Sequence, residues 1–126
     1  MKTSLTIIFL LISILCFTQL EDYYENGQIK DSLVLENDLI KKTSYYQNGN
    51  IREIGYFDLD DRRHGKWKGY YENGNLFSEG SFLNGKQNGK WYELHENGQL
   101  KRIGNQSDGK RNGVWKSYYE RYRTNT

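Results

Sequence analysis

Asp58, Asp60 and Asp61 bring three carboxylates into four residues, a crowding that can hold a hard cation such as calcium or magnesium through oxygen ligands. Arg62, Arg63 and His64 follow at once, and no distal Glu or spaced Asn/Gly completes a loop, so the segment reads as a solvated turn. His64 and His95 are the only histidines and Cys16 the only cysteine, too few and too differently placed for a zinc set. Ser78, Ser81 and Ser117 lack the strand-to-helix setting of a nucleophile elbow. With no convergent acid, base, nucleophile, metal or cofactor set, the expectation is a chain that is not an enzyme. Binding chemistry lies instead in aromatic and cationic side chains. Tyr45, Tyr70 and Tyr118 are expected on one face, with Arg52 opposite Tyr45, Phe77 opposite Tyr70, and Lys101 at the matching place one unit on. Aromatic rows interleaved with Arg and Lys bind peptides, sugars or single-stranded nucleic acid, although such rows also simply pair across strands and hold a sheet together.

What must position these residues is a repeat. Gly65-Lys66-Trp67, Gly89-Lys90-Trp91 and Gly113-Val114-Trp115 recur every 24 residues, and Gly74 to Gly98 and Gly80 to Gly104 keep the same step. Asn-Gly pairs sit at 26–27, 48–49, 73–74 and 97–98. A fixed period of this size marks an array of one small unit. Asn-Gly between alternating segments predicts a two-residue type I′ hairpin loop, with both loop residues at positive φ. Counting outward from Asn73-Gly74 sets Tyr71 opposite Leu76, Tyr70 opposite Phe77, Gly69 opposite Ser78, Lys68 opposite Glu79 and Trp67 opposite Gly80. The next unit sets His95 opposite Leu100, Leu94 opposite Lys101, Glu93 opposite Arg102 and Trp91 opposite Gly104. Each indole is expected to cover the glycine opposite it.

Trp67, Tyr71, Leu76 and Phe82, with Trp91, His95 and Leu100, are expected on the packed face. Tyr70, Phe77, Lys68 and Glu79, with Leu94, Lys101, Glu93 and Arg102, are expected on a mixed, solvated face. Lys42 stands where a Trp is due and Leu33 where a Gly is due, the segment from Asp58 to His64 carries one extra residue, and the last copy stops after Glu120. Atypical end units serve as caps. The longer Gly-bracketed connections Leu83–Gly89 and Ser107–Gly113 lead back into each next strand. The result is an all-β antiparallel meander of nine or ten strands.

Composition agrees. The chain has 126 residues, no proline, 11 Tyr, 3 Trp and 5 Phe. Its aliphatic residues are concentrated near the start, where Met1-Lys2 precedes an apolar run from Leu5 to Phe17. That layout predicts a signal peptide over residues 1–19 and a repeat domain over 20–126, hence an exported chain: periplasmic, outer-membrane-associated or secreted. The run is short for a membrane span, and bulky Leu15 disfavours Cys16 as a lipidated cysteine. Interspersed charges and a formal net charge of +2 argue against a nucleic-acid partner and leave at most weak membrane association. Open sheet edges make self-association conceivable.

Gly-x-Trp-x-x-Tyr-Tyr-x-Asn-Gly-x-Leu, with a further Gly six residues past the Asn-Gly glycine, resembles the bacterial variant of the MORN repeat from about Tyr23 to Glu120. The nearest resemblance is to the YwqK-type antitoxin-like group. It implies an elongated, twisted antiparallel sheet in which Gly65, Trp67, Tyr71, Gly74, Gly80, Gly89, Trp91, Gly98, Gly104, Gly113 and Trp115 are structural positions. It implies binding or scaffolding to a protein partner or a cell-envelope surface, contact with membrane phospholipid in eukaryotic relatives, and no catalytic residues. The antitoxin role fits an exported chain only where the toxin is exported too.

Overall fold

The computed structural model describes residues 19–121. The leader expected over residues 1–19 lies outside them, apart from Gln19, which is already part of the first strand. The strands are β1 (Gln19–Tyr23), β2 (Ile29–Glu36), β3 (Leu39–Tyr45), β4 (Ile51–Phe57), β5 (Arg63–Tyr70), β6 (Leu76–Leu83), β7 (Lys86–Gln87), β8 (Gly89–Leu94), β9 (Leu100–Ser107) and β10 (Lys110–Ser117). They form one open antiparallel sheet in the order β1-β2-β3-β4-β5-β6-β8-β9-β10, with β7 also paired to β6. Apart from the two-residue β7, every neighbour in sequence is a neighbour in the sheet, the meander that hairpin repeats dictate.

The two turn classes are exchanged relative to the sequence expectation. At each Asn-Gly pair only the glycine has positive φ, as at Gly74 (φ 91°). Gly74 N–H donates to the Tyr71 carbonyl at 2.9 Å, and Tyr71 N–H donates to the Asn75 carbonyl at 2.8 Å. This is a three-residue loop, a type I turn closed by a left-handed glycine. Asn73 favours it because its Oδ1 accepts the Asn75 N–H at 2.9 Å, and Asn26, Asn48 and Asn97 make the same bond in their units. Two-residue loops with both φ positive occur at the other end of the strands: Asn84-Gly85 (51°, 79°), Asp108-Gly109 (52°, 77°) and Asn37-Asp38 (47°, 61°).

The longer loop shifts the pairing by one residue, and a bulge shifts it back. Tyr70 pairs with Leu76 and Gly69 with Ser78, so Phe77 has no partner. Beyond the bulge Lys68–Glu79 and Trp67–Gly80 pair as expected. Lys30, Arg52 and Lys101 occupy the equivalent unpaired position in their hairpins. Hence Leu94 pairs with Leu100, not Lys101, and Tyr45 with Ile51.

A second irregularity explains Gly-x-Trp. Between Asn112–Asn105 and Lys116–Ile103, β10 carries two more residues than β9, and β5 does the same against β4 across Gly65-Lys66-Trp67. Gly65, Gly89 and Gly113 hold φ of 63°, 88° and 74° there, a region costly for other residues. The wide bulge swings each indole away from its own hairpin and over the preceding one. Trp67 lies on Gly55, Trp91 on Gly80 and Trp115 on Gly104, all three glycines buried. The expected cover is therefore corrected: Trp67 is in register with Gly80, but Gly80 is covered by Trp91. Trp67 Nε1 donates to the Tyr56 carbonyl and Trp115 Nε1 to the Asn105 carbonyl, both at 3.0 Å. Where Lys42 and Leu33 replace Trp and Gly, β2 and β3 pair without interruption. Lys42 instead sits 3.7 Å from both Asp31 and Glu53.

Candidate functional site

A one-layer sheet has two faces and no interior between layers. On the first face, Phe57, Trp67, Phe82 and Trp91 meet edge to face at 5.1, 6.1 and 5.6 Å. Arg63 lies over Trp67 at 4.1 Å from the ring centroid, and Arg111 over Trp115 at 4.7 Å. Trp67 is 3% exposed, so this row is spoken for by the fold. Glu93 and Arg102 pair at 2.7 Å on the same side, two residues from Trp91 and Gly104, which corrects their assignment to the solvated face.

Hydroxyls tie each unit to the next. Tyr24 donates to the Tyr45 carbonyl (2.8 Å), Tyr46 to that of Tyr70 (2.7 Å) and Tyr71 to that of Leu94 (2.8 Å), and His95 Nε2 meets that of Tyr118 (3.0 Å). His95 is thus a tyrosine substitute in a ladder. Burial, then the charges of Glu96, Glu93 and Glu120, raises the Tyr71 pKa and keeps it a donor. Asn50 and Asn75 amides extend the ladder at the loops, to the carbonyls of Glu72 and Glu96.

The second face carries the candidate tyrosines. Tyr45 with Ile51, Tyr70 with Leu76 and Leu94 with Leu100 stand in line along the Asn-Gly edge, and Tyr118, 45% exposed, ends the row. The structure thus unites Tyr45, Tyr70 and Tyr118 but separates them from Phe77. Phe77 sits edge-on to Tyr71 at 5.1 Å, on the indole side, because the bulge turns it over. Leu76 moves the opposite way, off the indole face. Arg52 and Lys101 hold the same bulge position as Phe77. Ile51, Leu76 and Leu100 were hidden from sequence reasoning by the one-residue loop error.

Beside this row lie Lys66 and Lys68 of β5, 2.9 and 3.7 Å from Glu79. Burial opposes the Glu79 charge, yet hydrogen bonds from Lys66 and Tyr92 and the nearby lysine charges outweigh it and hold the pKa below the ordinary value. In the aspartate turn, Asp58 Oδ1 accepts the N–H groups of Asp60 (3.0 Å) and Arg62 (2.9 Å), and Arg62 pairs with Asp58 and Asp60 at 2.9 and 3.1 Å.

The MORN repeat variant pattern matches residues 41–58, 63–84 and 87–108, one copy for each hairpin built on these contacts. The chain belongs to the MORN-variant repeat family. In these MORN-variant units the matched segments run over β3–β4, β5–β6 and β7–β9, and each holds one of the covered glycines Gly55, Gly80 and Gly104. No curated protein matches the chain in sequence. Two solved structures of TarM, one of them the S. aureus protein with Fondaparinux, alpha-GlcNAc-glycerol and UDP, align with 10% identity and a TM-score of 0.46. The alignment covers 79% of this chain and 22% of TarM, so the chain spans under a quarter of the protein it matches.

Proposed function

We propose that this MORN-variant chain is an exported, non-enzymatic binding protein that takes a protein partner or a cell-envelope component on its second face. The supporting observation is the row Tyr45–Ile51, Tyr70–Leu76, Leu94–Leu100 and Tyr118, an aromatic and aliphatic strip rimmed by lysines and covered by no second layer among the described residues. Such a strip suits a partner with apolar anchors, since tyrosine gives large contact area at low entropic cost. Export is supported by the apolar run from Leu5 to Phe17 after Lys2. The test is capture from native envelope with the tagged chain and a Tyr45/Tyr70/Tyr118→Ser triple variant, alongside cell fractionation. Capture lost in the triple variant, with circular dichroism unchanged, and retained in Phe77→Ala supports this face. Capture surviving the triple substitution overturns it. A captured protein that is toxic when expressed alone selects the YwqK-type antitoxin role, and lipid alone in the captured fraction selects a phospholipid scaffold.

A further inference from the structure

Ahead of each Asn-Gly loop stand two adjacent residues that face opposite ways. The second of each pair, Tyr24, Tyr46, Tyr71 or His95, is held by the ladder to the next unit's carbonyl. The first lies on the second face, and the ladder does not use it. Tyr45, Tyr70 and Leu94 are of this kind, and the row has a further member ahead of them. Tyr23 pairs with Ile29 just past the β1–β2 bulge, in the register of Tyr45–Ile51 and Tyr70–Leu76, and it is 52% exposed. Leu94 interrupts the series, so the consecutive tyrosines are Tyr23, Tyr45 and Tyr70, on β1, β3 and β5.

The sheet sets their spacing. Two strand separations put neighbouring tyrosines about 9.6 Å apart. A polyproline II helix, with three residues per turn, returns a side chain to the same line about every 9.3 Å. An extended β-segment returns one about every 6.7 Å and is out of step at once. An α-helix returns one about every 10.5 Å, over seven residues, and slips by about 1 Å per unit. The strands also turn by about 45° from one unit to the next, so a flat bilayer or a rounded domain meets the row only over a short stretch. A slender segment can follow it. Tyrosine suits such a segment, because proline packs on the ring and polyproline II leaves its carbonyls free for a hydroxyl donor.

Charge along the row is uneven. Beside Tyr23 stands Glu21, whose carboxylate accepts the Tyr23 hydroxyl. Beside Tyr70 stand Lys68 and Lys66, with side chains 40% and 64% exposed, while their partner Glu79 is only 14% exposed. Lys90, opposite Asn105, is exposed on the same face one unit on. With lysines outward and the carboxylate beneath them, the Tyr70 end presents positive charge to a ligand. We infer that Tyr23, Tyr45 and Tyr70 receive a proline-rich segment of the partner protein in the polyproline II conformation, one proline on each tyrosine, with a Glu or Asp beyond the proline on Tyr70, against Lys66, Lys68 and Lys90. This rests on the reading that the second face takes a protein partner, and it names the kind of segment that the face takes. The common step gives affinity, and the charge difference fixes which end of the segment meets Tyr70.

The probes are three synthetic peptides added to the full chain, with affinity read by fluorescence anisotropy. One has three prolines at every third position and a terminal Glu, one has the same composition with prolines at every second position, and one is the first with Gln in place of Glu. The first should bind at least about fivefold more tightly than the second, the scale of one interface anchor. Tyr23→Ser should weaken the first peptide by about fivefold as well, while Tyr119→Ser, at a tyrosine off the row, leaves it unchanged. Lys66→Gln with Lys68→Gln should remove the advantage of Glu over Gln, with circular dichroism unchanged. Equal binding of the two proline spacings, or a Tyr23→Ser variant that binds as tightly as the parent, overturns the inference. In envelope capture, an excess of the first peptide should release the captured protein. Capture that the tyrosine triple variant abolishes but the peptide does not release overturns the inference and leaves the proposed function standing, and so does a captured fraction of glycan or lipid alone. Capture that survives the triple variant removes that function, while the peptide measurements still decide whether the row takes polyproline II.

Discussion

A Cβ built on Gly80 falls 1.6 Å from Trp91 Cε3, and one on Gly55 falls 2.1 Å from Trp67 Cδ2. No side chain shares that space, so the glycine and the indole of the following unit are one device. Gly80→Ala should cost about 3 kcal/mol in urea unfolding because the indole must leave its seat. In a Trp91→Ala background the same change should become neutral or gain up to about 1 kcal/mol, since alanine loses less backbone entropy than glycine in a strand. Equal costs in both backgrounds would show that the indole is not the obstacle. A different residue-scale strain sits at Asp61, which holds φ 61° in the left-handed seat that glycine fills in the Asn-Gly loops. Its N–H closes the loop onto the Asp58 carbonyl at 3.1 Å, and a glycine keeps that bond. Asp61→Gly should raise stability by about 0.5–1 kcal/mol, read as a higher urea midpoint at unchanged slope.

Between elements, the units are joined by more than strand pairing. Tyr71→Phe removes the hydroxyl that β8 receives at the Leu94 carbonyl, and it should cost about 1 kcal/mol, checked by the same unfolding measurement. Glu79 joins β5, β6 and β8 through Lys66, Lys68 and Tyr92, and its side chain is 14% exposed. Its folded pKa lies below the ordinary 4.5, so its contribution is complete above that value and disappears as pH falls through the lower folded one. Thermal melts from neutral pH downward should therefore show a loss beginning near pH 4.5, and Glu79→Gln should flatten that slope while lowering stability at pH 7. The alternation of Gly, Trp and charge at these positions was legible in the chain. The bulge at Phe77 was not, because it exists only to absorb the extra loop residue.

For the whole molecule, a single layer in which each strand meets only its sheet neighbours makes stability a sum of unit and nearest-neighbour terms. The covered glycines and the tyrosine ladder are densest from β4 to β9. Native-state hydrogen exchange should be slowest there and fastest at β1 and β10. Uniform protection across all strands would mean that the sheet unfolds as one cooperative body. Net charge also changes meaning at this scale. A near-neutral total conceals a basic β10, with Lys110, Arg111 and Lys116, and an acidic β1, with Glu21 and Asp22.

The 24-residue step, the pairing of Trp with Gly and of Lys68 with Glu79, and the all-β meander follow from the sequence by itself, because alternation and turn residues act over a few neighbours. Three things were decided only by tertiary structure. Asn73 bonds across its glycine and converts the loop, which no dipeptide rule weighs. Phe77 and Leu76 then exchange faces, since a one-residue slip inverts every side chain up to the next bulge. Gly-x-Trp reaches back over the preceding hairpin because a wide bulge needs a neighbouring strand to bulge against. The candidate tyrosines were legible because they precede the loop, and their apolar partners were not because they follow it.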